Sequence, residues 1–86
     1  MSNSFVQYRL NLRELVNRLG SDHVRFQDAL LLELRLTENI EEATRYGSTE
    51  TNRADRARIL EQLNSLSMTT FGVPFAELPK PVEDYN

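Results

Sequence analysis

The stretch from Asp28 to Tyr46, DALLLELRLTENIEEATRY, constrains the fold of this chain more than any other part of its sequence. It contains no Gly or Pro and consists mainly of residues that form helices readily. At 100° per residue, Leu30 and Leu34 begin a stripe of their own, beside a longer apolar stripe made of Phe26, Ala29, Leu32, Leu36, Ile40 and Ala43. Two apolar stripes predict two packing neighbours, so this segment is expected to be the central helix of a small bundle.

One further helix is predicted on each side of this segment. Ser4 is a candidate N-cap for the first helix, and Ser21 or Asp22 for the second, because such side chains accept hydrogen bonds from free backbone N–H groups. A glycine follows each apolar segment, where it can end a helix: Gly20, Gly47 and Gly72. The sequence therefore predicts an all-α antiparallel three-helix bundle with long second and third helices, near residues 5–19, 22–46 and 51–71.

The predicted core lies between these helices and centres on Leu12, Leu15, Leu32, Leu36, Leu60 and Leu63. The buried face of the third helix is expected to comprise Ala57, Ile59, Leu60, Leu63, Leu66, Thr70 and Phe71. Pro74 prevents this helix from continuing. The short tail Val73–Leu78 is therefore expected to pack on one end of the bundle, where Leu19, Val24, Phe26 and Phe71 meet. We assign residues 1–78 to one helical domain and 79–86 to a linker or a disordered C-terminus.

The second half of the central helix is poorer in apolar residues than the first half. A predicted length of about 25 residues, or roughly 37 Å, exceeds that of the first helix. The second half is therefore expected to meet only the third helix, and Thr37–Arg58 to form a projecting hairpin rich in Arg and Glu.

Composition excludes several classes of function. The net charge of −3 argues against nucleic acid as a partner, since nucleic-acid binding usually requires a basic surface. The chain has no cysteine for disulfides or thiolate metal sites. It has no apolar run of the roughly 18–20 residues that cross a bilayer, and no signal peptide at its N-terminus, so no membrane partner is expected and the cytoplasm is the expected compartment.

The side chains that support catalysis are few. His23 is the single histidine, so a zinc site is not expected, and the isolated glycines form no phosphate-binding loop. Glu33 stands out because it falls within the apolar stripe of the central helix. Either an arginine such as Arg9, Arg13 or Arg56 pairs with it, or its carboxylate reaches water while its stem packs. Leu10 lies opposite the apolar stripe of the first helix; a single exposed leucine is ordinary, and a partner contact at Leu10 is the less favoured interpretation. We therefore expect no enzymatic activity and no cofactor.

Residues 45–78, RYGSTETNRADRARILEQLNSLSMTTFGVPFAEL, resemble a helical module with the consensus RYGDT…RRAERAxILxxLNRLALETLGxSFxEL. The module is of the effector-associated or death-like adaptor type found in bacterial multidomain proteins, and residues 8–40 are similar to its first half. The matching positions are Arg45, Tyr46, Gly47, Thr49, Arg53, Ala54, Arg56, Ala57, Ile59, Leu63, Asn64, Leu66, Gly72, Phe75 and Leu78. The chain departs from the pattern at Val24, where the family has proline, and at SMTTFGVP, which replaces ALETLGxS.

The resemblance implies an adaptor. Such modules stand beside TIR domains, caspase-like or trypsin-like proteases and NACHT or other STAND NTPases, and bring an effector to its sensor in bacterial immunity or conflict systems. The expected partner is a protein, either another helical module or a second copy of this chain. A structural oligomerisation bundle without a signalling role is the alternative. Three long helices differ from the six short helices of the death fold.

The partner is predicted to bind the projecting hairpin. Its Arg and Glu side chains can meet their opposites on a like module across a two-fold axis, and Tyr46 can serve as an aromatic anchor. The predicted partner-binding residues are Glu38, Glu41, Glu42, Arg45, Tyr46, Arg53 and Arg56. Alternatively, these charges pair along their own helices, and each pair contributes only about 0.2–0.5 kcal/mol.

Overall fold

The computed structural model describes residues 3–78, with side chains described from Phe5 onward. The order of elements is α1 (Asn3–Leu19), α2 (Phe26–Tyr46), α3 (Glu50–Phe71) and a short 3-10 turn (Phe75–Glu77). No strand occurs within this range. The predicted all-α three-helix bundle is therefore confirmed, with α2 packed along both of the other helices.

The start of α2 differs from the prediction. Residues 21–25 form a turn, and the helix begins at Phe26. Neither Ser21 nor Asp22 caps it, because the His23 imidazole Nδ1 accepts the backbone N–H of Arg25 at 2.9 Å and the chain turns once more before the helix starts. Ser4 is not the N-cap of α1, because it lies inside that helix. Helix α3 begins at Glu50, one residue before the predicted start, because the Thr49 hydroxyl caps it by accepting the Asn52 N–H at 3.0 Å.

The core follows the predicted apolar stripes closely. The buried apolar side chains include Leu12, Leu15, Leu32, Leu36 and Leu63 of the predicted core. Leu60 is only half-buried and packs at the margin. Ala57, predicted to be buried, is exposed because it lies about 120° around the helix from Leu63.

The second stripe of α2 lies outside the buried core. Leu30 is half-buried and Leu34 is 53% exposed. A single stripe, from Ala29 to Ala43, faces both α1 and α3 because the two helices approach it from adjacent sides. The prediction of two packing neighbours for α2 is correct, but α2 packs against both of them without burying the second stripe.

The prediction that the second half of α2 meets only α3 is wrong. Because the turn at 21–25 shortens α2 to 21 residues, α1 with its 17 residues reaches nearly as far. The Arg56 guanidinium carbon lies 5.2 Å from the centre of the Phe5 ring, and Arg9 shares a recess with Thr44. The α2–α3 hairpin therefore projects beyond α1 by little more than its final turn.

The tail packs on the bundle as predicted, wedged between α1 and α3. Phe75 and Leu78 are 4% and 0% exposed, and the Asn64 side-chain oxygen accepts the Phe75 N–H at 3.0 Å. From α1, Arg18 Nη2 donates to the Leu78 carbonyl at 3.0 Å. Val24 takes no part in this end, since it lies in the turn before α2 and is 87% exposed. The predicted linker or disordered C-terminus, 79–86, lies outside the described residues.

Candidate interaction surface at the α2–α3 tip

The connection between α2 and α3 is a tight turn that brings the predicted partner-binding residues together. Helix α2 ends at Tyr46 and α3 starts at Glu50. Gly47 has a φ of 93°, a backbone conformation that a residue with a β-carbon rarely adopts. Its N–H still bonds the Ala43 carbonyl at 2.8 Å, so the last turn of α2 is closed. We refer to residues 37–58 as the tip, the segment predicted above as the hairpin.

Two buried asparagines join the helices of the tip. The Asn39 amide nitrogen donates to the Asn52 carbonyl at 3.0 Å, and the Asn52 amide nitrogen donates to the Asn39 carbonyl at 3.1 Å. The two residues are 6% and 4% exposed. Because the bonds are reciprocal and require the helices at one relative height, they fix the register of α2 against α3.

Arg56 completes this network. Its Nη1 donates to the side-chain oxygens of Asn39 at 2.9 Å and Asn52 at 2.7 Å, and its Nη2 reaches the Ser48 hydroxyl at 3.3 Å. Its planar guanidinium also lies against the Phe5 ring of α1. Arg56 of α3 therefore contacts both α2, through Asn39, and α1, through Phe5. Each hydrogen bond from such a charged group contributes about 1.5–3 kcal/mol. We call Asn39, Asn52 and Arg56 the amide–arginine network.

The acidic residues that α2 contributes to the tip lie on two different sides of that helix. Glu38 and Glu42 line an open recess between α2 and α3, together with Arg35, Asp55 and Arg58. Glu41 and Arg45 line a second recess between α2 and α1, together with Arg9 and Thr44. The structure therefore brings the predicted residues to one end of the molecule, but it divides their charges between two faces.

The remaining two residues lie at the end of the tip. Tyr46 is 72% exposed, and the Arg45 guanidinium carbon is 5.9 Å from its ring centre. Arg53 is exposed, and its Nη1 donates to the Ser48 carbonyl at 3.1 Å. Arg53 and Arg56 thus both bond the turn through Ser48, and Tyr46 is presented to solvent.

The charges of the tip do not pair with one another. In the part of the chain that the structure describes, the ion pairs within 4.0 Å are Arg18–Glu14 and Arg25–Asp28, both at the opposite end. The closest contact of a predicted acidic residue is a long hydrogen bond, 3.4 Å, from the Asn52 amide to Glu42. The geometry therefore does not favour the alternative in which these charges pair along their own helices.

The other singled-out residues have local roles. Glu33 is half-buried and lines an open recess with Arg9 and Arg13. Among residues 5–78 it forms no ion pair within 4.0 Å. This fits the interpretation in which its stem packs and its carboxylate reaches water. His23 shapes the turn before α2. No group of three or more His, Asp or Glu side chains within the described residues could hold a metal ion.

Sequence reasoning missed Asn39 and Asn52, although a signal for Asn39 was present. Asn39 follows Leu36 by three residues and precedes Ala43 by four, so it falls on the edge of the buried stripe of α2. A polar side chain at such a position requires a hydrogen-bond partner. Every buried side-chain nitrogen and oxygen of the described region has one. The identity of the partner, Asn52, depends on the turn geometry and could not be found from spacing.

No described helix is both long and apolar enough to cross a bilayer. Comparison with protein-family models, curated proteins and solved structures found no match. The resemblance to effector-associated modules therefore stays a prediction that depends on the quoted residues, and function has to be inferred from the geometry of the molecule.

Proposed function

We propose that this chain is a non-enzymatic protein-interaction module that recruits, or pairs with, an effector or signalling protein through its tip. Tyr46 carries the proposal, because it is 72% exposed at the end of α2, beside a turn that the amide–arginine network holds in place. Large aromatic side chains are enriched among the residues that dominate binding free energies. The setting implied by the resemblance is a bacterial immunity or conflict system, and the compartment is the cytoplasm.

The residues of the tip have different roles in this proposal. Tyr46 is the anchor, and the exposed charges around it, Glu38, Glu41, Glu42, Arg45 and Arg53, select the partner and its orientation. Arg56 is a positioning residue, since it is half-buried and donates to side chains of its own chain. A rigid tip lowers the conformational entropy lost on binding.

The alternative, a structural oligomerisation bundle without a signalling role, makes a different prediction. Such a bundle self-associates but captures no other protein. The two functions therefore separate in one experiment, in which the tagged full chain is co-expressed with each protein encoded beside its gene and capture is measured at low and physiological salt.

Variants identify the surface in the same experiment. We expect Tyr46→Ala to weaken capture of the cognate protein by at least about tenfold, as for a central aromatic contact. Arg53→Glu should weaken it more at low salt than at physiological salt. Glu61→Arg, a charge reversal at an exposed position on α3 away from the tip, is the control and should leave capture unchanged. Folded Tyr46→Ala and Arg53→Glu variants that bind as well as the parent would exclude the tip.

A further inference from the structure

A second surface lies on the other side of α2, away from α3. Helix α1 exposes Val6 and Leu10, which are 56% and 47% accessible, and α2 exposes Leu34 at 53%. Leu34 lies about 140° around α2 from Asn39, the residue that bonds α3. One exposed leucine is ordinary on a small domain. Several on two neighbouring helices require an explanation.

These apolar residues border one groove. The groove between α1 and α2 is lined by Arg9, Arg13 and Asn17 from α1 and by Glu33 and Thr37 from α2. On α1, Leu10 lies three residues before Arg13 of the groove and four residues after Val6. On α2, Leu34 lies three residues before Thr37 of the groove and four residues after Leu30. Residues three and four apart are neighbours on a helix surface. The two apolar strips therefore flank the same groove on its outer face.

The groove has opposite charge on its two sides. Helix α1 supplies Arg9 and Arg13, whereas α2 supplies Glu33 in the groove and Glu41 in the adjoining recess. Arg45, which also lines that recess from α2, lies over the Tyr46 ring towards the end of the tip. None of these charged residues belongs to an ion pair shorter than 4.0 Å among residues 5–78. The groove itself is basic on α1 and acidic on α2, and such a surface complements a copy of itself.

Symmetry specifies how two copies would meet. A two-fold axis parallel to the helices lays α1 of one copy on α2 of the other and keeps each residue at its own height. Arg9 and Glu41 share a recess within one chain, and so do Arg13 and Glu33, so the members of each pair lie at similar heights. Across the axis, Arg9 of one copy therefore faces Glu41 of the other, and Arg13 faces Glu33.

We propose that two copies of this chain associate through the α1–α2 face, which comprises Val6, Leu10, Leu30 and Leu34 with Arg9, Arg13, Glu33 and Glu41. The helices are about 26 and 32 Å long at 1.5 Å per residue, and axes about 9 Å apart make the face roughly 20 Å wide. A dimer would bury on the order of 1,000 Å² in total, the lower end for a specific interface. The association is therefore reversible and dependent on concentration.

Sedimentation equilibrium of the full chain over micromolar to millimolar concentrations tests the apolar part of this face. We expect Leu10→Asp to weaken dimerisation at least tenfold. Met68→Asp is the matched control, because Met68 is 46% exposed, against 47% for Leu10, but lies on α3. Circular dichroism establishes that both variants are folded. A wild-type chain that stays monomeric at millimolar concentration would overturn the proposal, and so would equal behaviour of the two variants.

Charge reversal tests the orientation. Arg9→Glu with Arg13→Glu places acid against acid in a homodimer, and Glu33→Arg with Glu41→Arg places base against base. Each variant alone should therefore be monomeric, whereas an equimolar mixture should form a heterodimer in which every facing pair has opposite charge. A mixture that stays monomeric while the parent dimerises would overturn the proposed arrangement.

The dimer face and the tip share Glu41, so Leu10 and Tyr46, which each belong to only one of the two surfaces, separate the two proposals. Tyr46→Ala should leave the sedimentation behaviour of the chain unchanged. The tagged Leu10→Asp chain, although monomeric, should capture the cognate protein as well as the parent does. Failure of one prediction is thus distinguishable from failure of the other.

Discussion

The two ends of this bundle are closed by different chemistry. At the tail end, Phe75 and Leu78 fill the space between α1 and α3 and are 4% and 0% exposed. At the tip, Asn39 and Asn52 are buried almost as completely, at 6% and 4%. Apolar burial is non-directional and scales with area, whereas each amide hydrogen bond requires one geometry. The tail end therefore contributes mainly stability, and the tip contributes a fixed register of α2 against α3.

The difference between the ends also supports the proposal that the tip is the binding surface. The tail end places a large aromatic side chain, Phe75, inside the core. The tip adds the reciprocal bonds of Asn39 and Asn52 to the buried Ile40 and Ala43, and leaves Tyr46 in solvent. An exposed aromatic on a segment of fixed geometry is available to a partner at little conformational cost.

The largest expected effect on stability is at the tail end. Phe75→Ala should lower the free energy of unfolding by about 3–5 kcal/mol, as truncations of buried Phe do. Urea denaturation measures the loss. Val24→Ala is the control from the same end and should cost less than about 0.5 kcal/mol, because Val24 is 87% exposed. A loss near 1 kcal/mol for Phe75→Ala would mean that the tail contributes little to the core.

The middle of the bundle should behave like the tail end. Leu36 is 0% exposed at the centre of the α2 stripe, and Leu36→Ala should cost about 2–5 kcal/mol. The same denaturation experiment measures it. A cost below about 1 kcal/mol would show that α2 repacks around the missing side chain. The middle of the bundle would then not resemble the tail end.

These apolar regions are also the part of the fold that the sequence predicted best. The period of Leu12, Leu15, Leu32, Leu36 and Leu63 marked the core, because burial at helical spacing depends only on local geometry. The start of α2 was predicted wrongly, since the His23 ring and the turn at 21–25 compete with an ordinary cap. That one error made the predicted α2 too long, and with it the predicted projection of the tip beyond α1.

The candidate site was predictable only in part. The tip position of Tyr46 and the exposure of the charges around it followed from Gly47 and from the low apolar content of residues 37–46. The network among Asn39, Asn52 and Arg56 did not, because its bonds join residues 13 and 17 positions apart. Such contacts depend on the turn between two helices, which spacing along one helix does not specify.

A moderate effect is expected at the tip. Arg56→Met keeps most of the side-chain volume but leaves the buried amide oxygens of Asn39 and Asn52 without their charged donor. Removing such a donor should cost about 1.5–3 kcal/mol. Arg56→Lys should recover only part of this, because an ammonium group lacks the planar fork that reaches both oxygens. Arg58→Met, an exposed neighbour on α3, should stay within about 0.5 kcal/mol of the parent. Equal losses for Arg56→Met and Arg58→Met would show that the network does not hold the tip.

Tyr46 should contribute little to stability, in contrast to Phe75 at the opposite end of the bundle. Tyr46 is 72% exposed and its nearest cationic group, the Arg45 guanidinium, is itself on the surface, so Tyr46→Ala should change the free energy of unfolding by less than about 0.5 kcal/mol. The same substitution is expected to weaken capture of the cognate protein, whereas Phe75→Ala should weaken capture only as far as it unfolds the chain. Denaturation and capture assays on both variants therefore give opposite rankings if the tail end stabilises and the tip binds. A Tyr46→Ala variant that loses 2 kcal/mol or more would show instead that this aromatic side chain supports the fold, and its exposure would no longer indicate a binding surface.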